Sequence, residues 1–453
     1  MAEPRQDALA LAAQVRAGDV SPRELAEQAI ARIEATNPDL NFLVTDCFEQ
    51  ALATEPADGP FRGVPILVKD LNETAGVRTT LSCRAFADYV PQHDAAVVRR
   101  IKEAGFVMLG KSNTPEFGST AVTESVLNGA CRNPWNTERT PGGSSGGAAA
   151  AVAAGTMPLA HASDGGGSIR IPASCTGLFG LKPSRGRVSP APYTSGSLEL
   201  SQSGCVSVSV RDSAAFLDQI AGYEWGDSVS APPPERPFLD EVGSDPGRLR
   251  IAYTETPPIP YEVEPGVLGV AREAAEALAA LGHEVVEAQP DWVDTEVLRV
   301  FAYLWSVGPA VAPISDPSLM EPLNQALAQA AHDHTSVEYA RAVIALQTMA
   351  RRVVSFWRDY DVVLTPGLGK LPVPIGWVFE PEDPWEQFAR GGEFTPFTPI
   401  VNVTGQPAAM VPFGIVDGLP VGVQLIGPPA GEALLFRLAA QIEAAHPWAG
   451  RLP

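Results

Sequence analysis

Apolar and polar positions alternate along the chain with two periods, one fitting helices and one fitting buried strands. Ser21-Pro22-Arg23-Glu24 reads as a capping box with proline at the first helical position, and Leu25, Ala29 and Ile33 continue it as an apolar stripe. That spacing predicts an amphipathic helix over residues 22–36. GVPILVKD (63–70) predicts a buried strand, Ala95–Ala104 a helix, and FVMLG (106–110) the strand after it. Further on, LRIAYT (249–254), a helical stretch over about 265–281 and HEVVEA (283–288) form a β-α-β pattern. DVVLTP (361–366) predicts another buried strand. AAMVPFGIV (408–416) and VGVQLIG (421–427) flank Asp417-Gly418 as a hairpin, and Glu432–Ala445 predicts a late helix. Helix and strand alternate throughout, so the expected class is α/β.

Five prolines between Ser230 and Gly247 mark a surface connection rather than a domain boundary, and no internal repeat is visible. The expectation is one domain over residues 1–453. Within it lie an N-terminal helical segment (about 5–40), a core carrying the candidate chemistry (about 60–215), a variable segment (about 225–400) and a C-terminal hairpin and helix (about 401–446).

Composition narrows the function. Hydrophobic residues make up 45% of the chain and charged ones 19%, which suits a buried core and argues against a disordered chain. The net charge of −21 disfavours phosphate backbones and anionic lipid, so neither nucleic acid nor membrane is an expected partner. The N-terminus is unlike a signal peptide, and the apolar run near 148–160 is too short to span a bilayer. A cytoplasmic protein is expected. Cys47, Cys83, Cys131, Cys175 and Cys205 are widely spaced and contain no C-x-x-C, so neither disulfides nor a metal site is indicated.

Two motif matches lack the context their chemistry needs. Gly105 to Ser112 fits G-x-x-x-x-G-K-[ST], but a helix precedes it and its variable positions are an apolar strand, the reverse of a phosphate loop. Gly143 to Gly147 fits G-x-S-x-G around Ser145, yet NPWNTERTPG before it cannot be the buried strand of a nucleophile elbow. His161, the first histidine downstream, reads as a core or supporting residue. A third constellation is Lys69, Ser144 and Ser168. Lys69 ends an apolar strand, where desolvation favours a neutral amine; taken alone, it reads first as a strand-end lysine paired with Asp70. Gly165-Gly166-Gly167 precedes Ser168, and such a run can aim several backbone N–H groups at one point or simply form a turn.

The stretches PFRGVPILVKDL, LGKSNTPEFG, RNPWNTERTPGGSSGGAAAAVAAG, ASDGGGSIRIPAS, GLFGLKPSRGRVSP and VNVTGQPAAMVPFGIVDGLPVGVQLIG, in this order, resemble the amidase signature family. The intervals between Lys69, Ser144 and Ser168 agree too. The resemblance implies an amidase-signature fold, a large mixed β-sheet covered by helices on both faces. It implies a Ser–cis-Ser–Lys triad with Ser168 as nucleophile, Ser144 as bridging serine and Lys69 as base. Gly165, Gly166 and Gly167, with the Ser168 N–H, would form the oxyanion hole, supported by Ser145, Asp164 and Arg170. No cofactor and no metal are implied. The expected function is hydrolysis of a small-molecule carboxamide (linear, aryl or cyclic) through an acyl-Ser168 intermediate. The alternatives are a glutaminase A subunit of a tRNA-dependent transamidation complex, or an esterase or carbamate hydrolase with the same triad.

Many relatives carry Thr or Ile where this chain has Gly165, a departure expected to loosen the loop or widen the acyl pocket. Ile171 stands where the transamidation subunit carries Gln, and the wording is closer to free-standing bacterial amidases, including the nylon cyclic-dimer hydrolase branch. Phe117 and Gly118 are expected beside the acyl chain. The aromatic-rich segment 375–397, through Trp377 and Phe394, is expected to wall the pocket or close over it. The expected partner is the amide substrate, with a homodimer left open.

Overall fold

The computed structural model describes residues 6–193, 199–294, 296–451 and 453. Residue 5, where the N-terminal helical segment was expected to start, lies outside them. Strands Leu43–Asp46 (β1), Pro65–Lys69 (β2) and Val107–Ser112 (β3) form a small sheet in the order β1-β3-β2. Glu124–Ser125 (β4) and Gly129–Ala130 (β5) make a short ladder of their own. The eight remaining strands are Leu159–Asp164 (β6), Phe179–Lys182 (β7), Gln202–Ser207 (β8), Arg250–Tyr253 (β9), Glu284–Glu287 (β10), Val362–Pro366 (β11), Ala408–Val416 (β12) and Leu419–Ile426 (β13). They build one sheet in the order β10-β9-β11-β13-β12-β7-β8-β6. It is parallel at β10-β9-β11 and antiparallel from there on.

Side-chain alternation shows why helices cover both faces of this sheet. On β12, Ala409 and Val411 join a core cluster with residues of helices Val210–Ile220, Pro265–Ala280 and Glu432–Ala445. Met410 points the other way, into a cluster that includes the alanines of helix Gly146–Ala153. A period of two sends successive side chains to opposite faces, so a strand that is apolar throughout must be covered twice.

Local signals act where they were expected. Ser21 and Glu24 form the reciprocal capping box, and the helix runs from Pro22 to Leu40. It passes the expected end at residue 36 and stops at Asn41, in the left-handed region with φ 53°. Asp417 and Gly418 both have positive φ, at 51° and 77°, and connect Val416 to Leu419 as a two-residue hairpin turn.

The glycine-serine string is deeply buried. Every residue of helix Gly146–Ala153 is buried, packed against β6, β8 and the small sheet. A Cβ on Gly147 would lie 2.3 Å from the Asn113 backbone nitrogen, so the start of the helix reaches this depth only because Gly147 has no side chain. The packing fixes where residues 142–145 lead into the helix. Among the described residues, no helix is long and apolar enough to cross a membrane.

Candidate active site

Two chain segments meet in the core, and a third carries Ser168 to the wall of the cavity that Gly118, the neighbour of Ser144, also lines. Lys69 ends β2, Ser144 lies just before helix Gly146–Ala153, and Ser168 sits in the turn between β6 and helix Arg170–Thr176. The Lys69 ammonium nitrogen is 2.7 Å from Ser144 Oγ, and the Gly143–Ser144 peptide is cis. Lys69 Nζ also reaches Ser163 Oγ at 3.2 Å and the Ser163 carbonyl at 3.4 Å. Lys69 is fully buried, and desolvation brings its pKa down to about 7 against the opposing pull of the Asp164 carboxylate. Asp70, the alternative partner, instead accepts from the Thr80 backbone N–H and hydroxyl.

The turn carrying Ser168 is wound around the Asp164 carboxylate. That carboxylate accepts from the backbone N–H groups of Gly167 (2.7 Å), Ile169 (3.2 Å) and Arg170 (3.4 Å). Arg170 grips it twice, through Nε and Nη2, both at 2.9 Å, with both side chains fully buried. Burial alone would raise the Asp164 carboxyl; the charge and hydrogen bonds of Arg170 hold it well below the usual carboxylate range. The guanidinium is then spent on the Thr398 carbonyl, Gln424 Oε1 and Asn402 Oδ1. Asn402 returns a bond to the Asp164 carbonyl, and the Thr398 hydroxyl donates to the Gly166 carbonyl.

This winding corrects one expectation. The Gly167 N–H is consumed by Asp164, so it cannot also stabilise an oxyanion. The backbone N–H groups of Gly165, Gly166 and Ser168 make no hydrogen bond among the described residues, and neither does the Ser168 hydroxyl. Gly167 serves shape instead. It has φ 132°, and a Cβ there would lie 2.3 Å from the Thr398 hydroxyl.

Ser145, the serine picked by G-x-S-x-G, exchanges hydrogen bonds with the Ser163 backbone and holds β6 against the string. His161 accepts the Lys69 backbone N–H through Nδ1, and burial lowers its pKa to about 3, so it is neutral. Lys111 of the phosphate-loop look-alike is buried and hydrogen-bonded to the Asn72 carbonyl and Thr74 hydroxyl.

A cavity opens on Ser168. Gly118, Gly166, Ile171, Leu298, Phe301, Trp305 and Phe388 are among its walls, and none of the described residues that line it is ionisable. Gly118 was expected here; three other candidates are not on the wall. Phe117 turns away to pack edge-on against Phe86, with centroids 6.4 Å apart. Trp377 lies under the Arg390 guanidinium, 4.9 Å away, and Phe394 is buried in a neighbouring apolar cluster. The segment 375–397 does reach the cavity, through Val378, Gln387, Phe388 and Thr395. The largest aromatic surface comes from helix Val297–Trp305 instead. Phe301 and Trp305 stack at 5.2 Å, and the Trp305 N–H is tied to the Ser119 carbonyl at 3.1 Å. Trp305 also answers the question raised by Gly165: a Cβ there would stand 3.0 Å from the indole. The tryptophan ring fills the space beside Gly165 that a side chain there would take.

The family model for amidases matches residues 24–436. The chain belongs to the amidase family. It is thereby a hydrolase of carbon–nitrogen bonds in non-peptide amides. The 6-aminohexanoate-cyclic-dimer hydrolase of Paenarthrobacter ureafaciens is 39% identical, over 99% of this chain and 96% of its own length. The solved structure of 6-aminohexanoate cyclic dimer hydrolase with substrate superposes with a TM-score of 0.95 at 38% identity, covering 99% of this chain and 98% of the other. A bacterial aryl acylamidase of the amidase signature family gives a TM-score of 0.88 at 25% identity, with 99% of each chain covered.

Proposed function

We propose that this amidase hydrolyses uncharged, mainly apolar carboxamides through an ester on Ser168. The observation that carries the reading is Lys69, fully buried with a pKa of about 7 and hydrogen-bonded to Ser144 Oγ. A lysine neutral at working pH accepts a proton, where an ammonium only donates. Neutral Lys69 takes the Ser144 proton while Ser144 takes that of Ser168, whose Oγ attacks the carbonyl carbon. The N–H groups of Gly165, Gly166 and Ser168 receive the oxyanion, held ready because Asp164 and Arg170 fix the turn before substrate arrives. Ser144 returns a proton to the leaving nitrogen, and water activated by the same pair cleaves the ester.

The substrate class follows from the walls. A glutamine side chain enters with an ammonium and a carboxylate attached, and burying either without a counter-charge costs several kcal/mol. The described lining of the cavity offers no such counter-charge, which argues against a glutaminase subunit. Phe301, Trp305, Leu298 and Phe388 suit aliphatic or aryl acyl groups, in keeping with the relatives that act on a cyclic aminohexanoate amide or are aryl acylamidases. The test is a hydrolysis panel with the purified chain, comparing hexananilide, a lactam, a cyclic dipeptide-like diamide and glutamine. Turnover of the neutral amides above glutamine is expected; preference for glutamine would overturn the reading.

A further inference from the structure

Gly165 and Gly166 have no side chains, yet the space beside them is filled. A Cβ at Gly165 would stand 3.0 Å from Trp305 Cη2 and 3.1 Å from Cζ3. One at Gly166 would stand 3.7 Å from Phe301 Cζ and 4.0 Å from Trp305 Cη2. The outer edge of the indole therefore lies against the two glycines whose N–H groups are free of hydrogen bonds among the described residues. The ring is held from two other sides. Its N–H donates to the Ser119 carbonyl at 3.1 Å, and Phe301 stacks on it at 5.2 Å with the planes 24° apart. An indole fixed at both edges and on one face keeps one orientation. Gly166, Ser168, Phe301 and Trp305 line the same cavity, so the ring borders the space a substrate enters. The hydroxyls of Ser119, Thr120 and Thr395 on that lining donate to the carbonyls of Glu116, Val122 and Gly391, which leaves Ser168 the one free hydroxyl on the described lining. Shape is what remains to tell acyl groups apart there.

We propose that Trp305 sets acyl specificity: it is a fixed wall that admits acyl groups unbranched at the carbon next to the carbonyl and turns away one hand of those branched there. The proposal rests on the reading that the substrate acylates Ser168 with its carbonyl oxygen on the Gly165 and Gly166 N–H groups. An oxygen held there lies about 2.9 Å from the nitrogens. The carbonyl carbon is one bond further on and the next acyl carbon two, so substituents on that carbon project into the space the indole borders. A straight chain or a flat aryl ring lies along such a wall without displacing it. A single methyl on that carbon points at the ring in one enantiomer and away from it in the other, because the indole flanks the glycines on their side-chain side. The ring cannot retreat without giving up the Ser119 hydrogen bond or the Phe301 stack, so the misplaced methyl is felt in the rate.

The test compares the two enantiomers of 2-methylhexananilide, whose intrinsic reactivity is identical, with the purified full chain. The wild type should hydrolyse one enantiomer about tenfold faster in kcat/KM or more, the worth of one misplaced carbon in a close-fitting apolar pocket. In Trp305→Ala the ratio should fall to about two or less. Phe388→Ala removes a wall ring that is not within 4 Å of a Cβ at Gly166, and it should keep the wild-type ratio. A wild-type ratio near one overturns the proposal, and this arm needs no variant to fold. An unchanged ratio in folded Trp305→Ala overturns it as well. So does a Trp305-dependent ratio for the enantiomers of N-sec-butylhexanamide with none for the acyl pair, since the wall would then belong to the leaving group. The same acyl pair as p-nitrophenyl esters, whose leaving group needs no proton, separates the two readings. Ester enantiomers told apart by Trp305 without any amide turnover contradict the amide reading alone. An active amidase that takes both hands equally contradicts this proposal alone.

Discussion

Protonation of Lys69 should control the rate, and pH is the cleanest perturbation. With a pKa of about 7, the amine is neutral in about one-tenth of molecules at pH 6, half at pH 7 and nine-tenths at pH 8. Since only the neutral form can accept the Ser144 proton, kcat/KM should rise about tenfold from pH 6 to pH 8. The direction follows from burial: desolvation lowers a lysine's pKa, so activity is lost as pH falls through that value, not as it rises. The assay is kcat/KM for a neutral anilide across this range, with thermal melts showing that the fold persists. The rate of Ser168 phosphonylation by a fluorophosphonate provides a second readout, since it reports serine attack without an amine leaving group. Both profiles should share one inflection. A flat profile over pH 6–8 in both assays, or one that falls with pH, would refute the assignment of Lys69 as a neutral base.

Other outcomes follow from the same geometry. Gly165→Val places branched carbons against an indole already 3.0 Å from a bare Cβ, an overpacking of about 1–3 kcal/mol; kcat/KM for hexananilide should fall about tenfold, and Trp305→Ala should restore much of it. Ser163→Ala removes the hydroxyl 3.2 Å from Lys69 Nζ, and kcat should drop roughly three- to tenfold, the worth of one hydrogen bond, with KM little changed. Arg170→Met leaves the fully buried Asp164 without its counter-charge, so urea denaturation should show a loss of about 3–5 kcal/mol; a loss below about 1 kcal/mol would mean that the ion pair does not hold the turn.

How much of this was legible in the sequence depends on how local each signal is. The capping box at Ser21, the Asp417-Gly418 turn and the buried strand ending at Lys69 are each fixed by a few adjacent residues, and each forms where the pattern puts it. Lys69, Ser144 and Ser168 were found through motif order, and the structure brings Lys69 to Ser144 across 75 residues. The supports of the Ser168 turn were not found, because Thr398, Asn402 and Gln424 reach Arg170 from 228 to 254 residues away and sit in unremarkable apolar stretches. Ser163 could have been suspected from its place beside Asp164 on a strand leading into the glycine run. The cavity wall was misassigned for a related reason. Aromatic density singled out Trp377 and Phe394, but which rings face a cavity is decided by tertiary approach, and helix Val297–Trp305 supplies two of them beside Phe388. The Gly167 N–H shows the same limit, since composition marks a glycine run without revealing which amide is already spoken for.

The central claim is that Ser168, and neither Ser144 nor Ser145, carries the acyl group. Its most direct test is peptide-mapping mass spectrometry after treatment of the wild-type chain with a fluorophosphonate. The account predicts one phosphonyl adduct, on the peptide bearing Ser168, absent from Ser168→Ala although that variant melts like wild type. An adduct on Ser144 or Ser145, or undiminished amide turnover by Ser168→Ala, would contradict it.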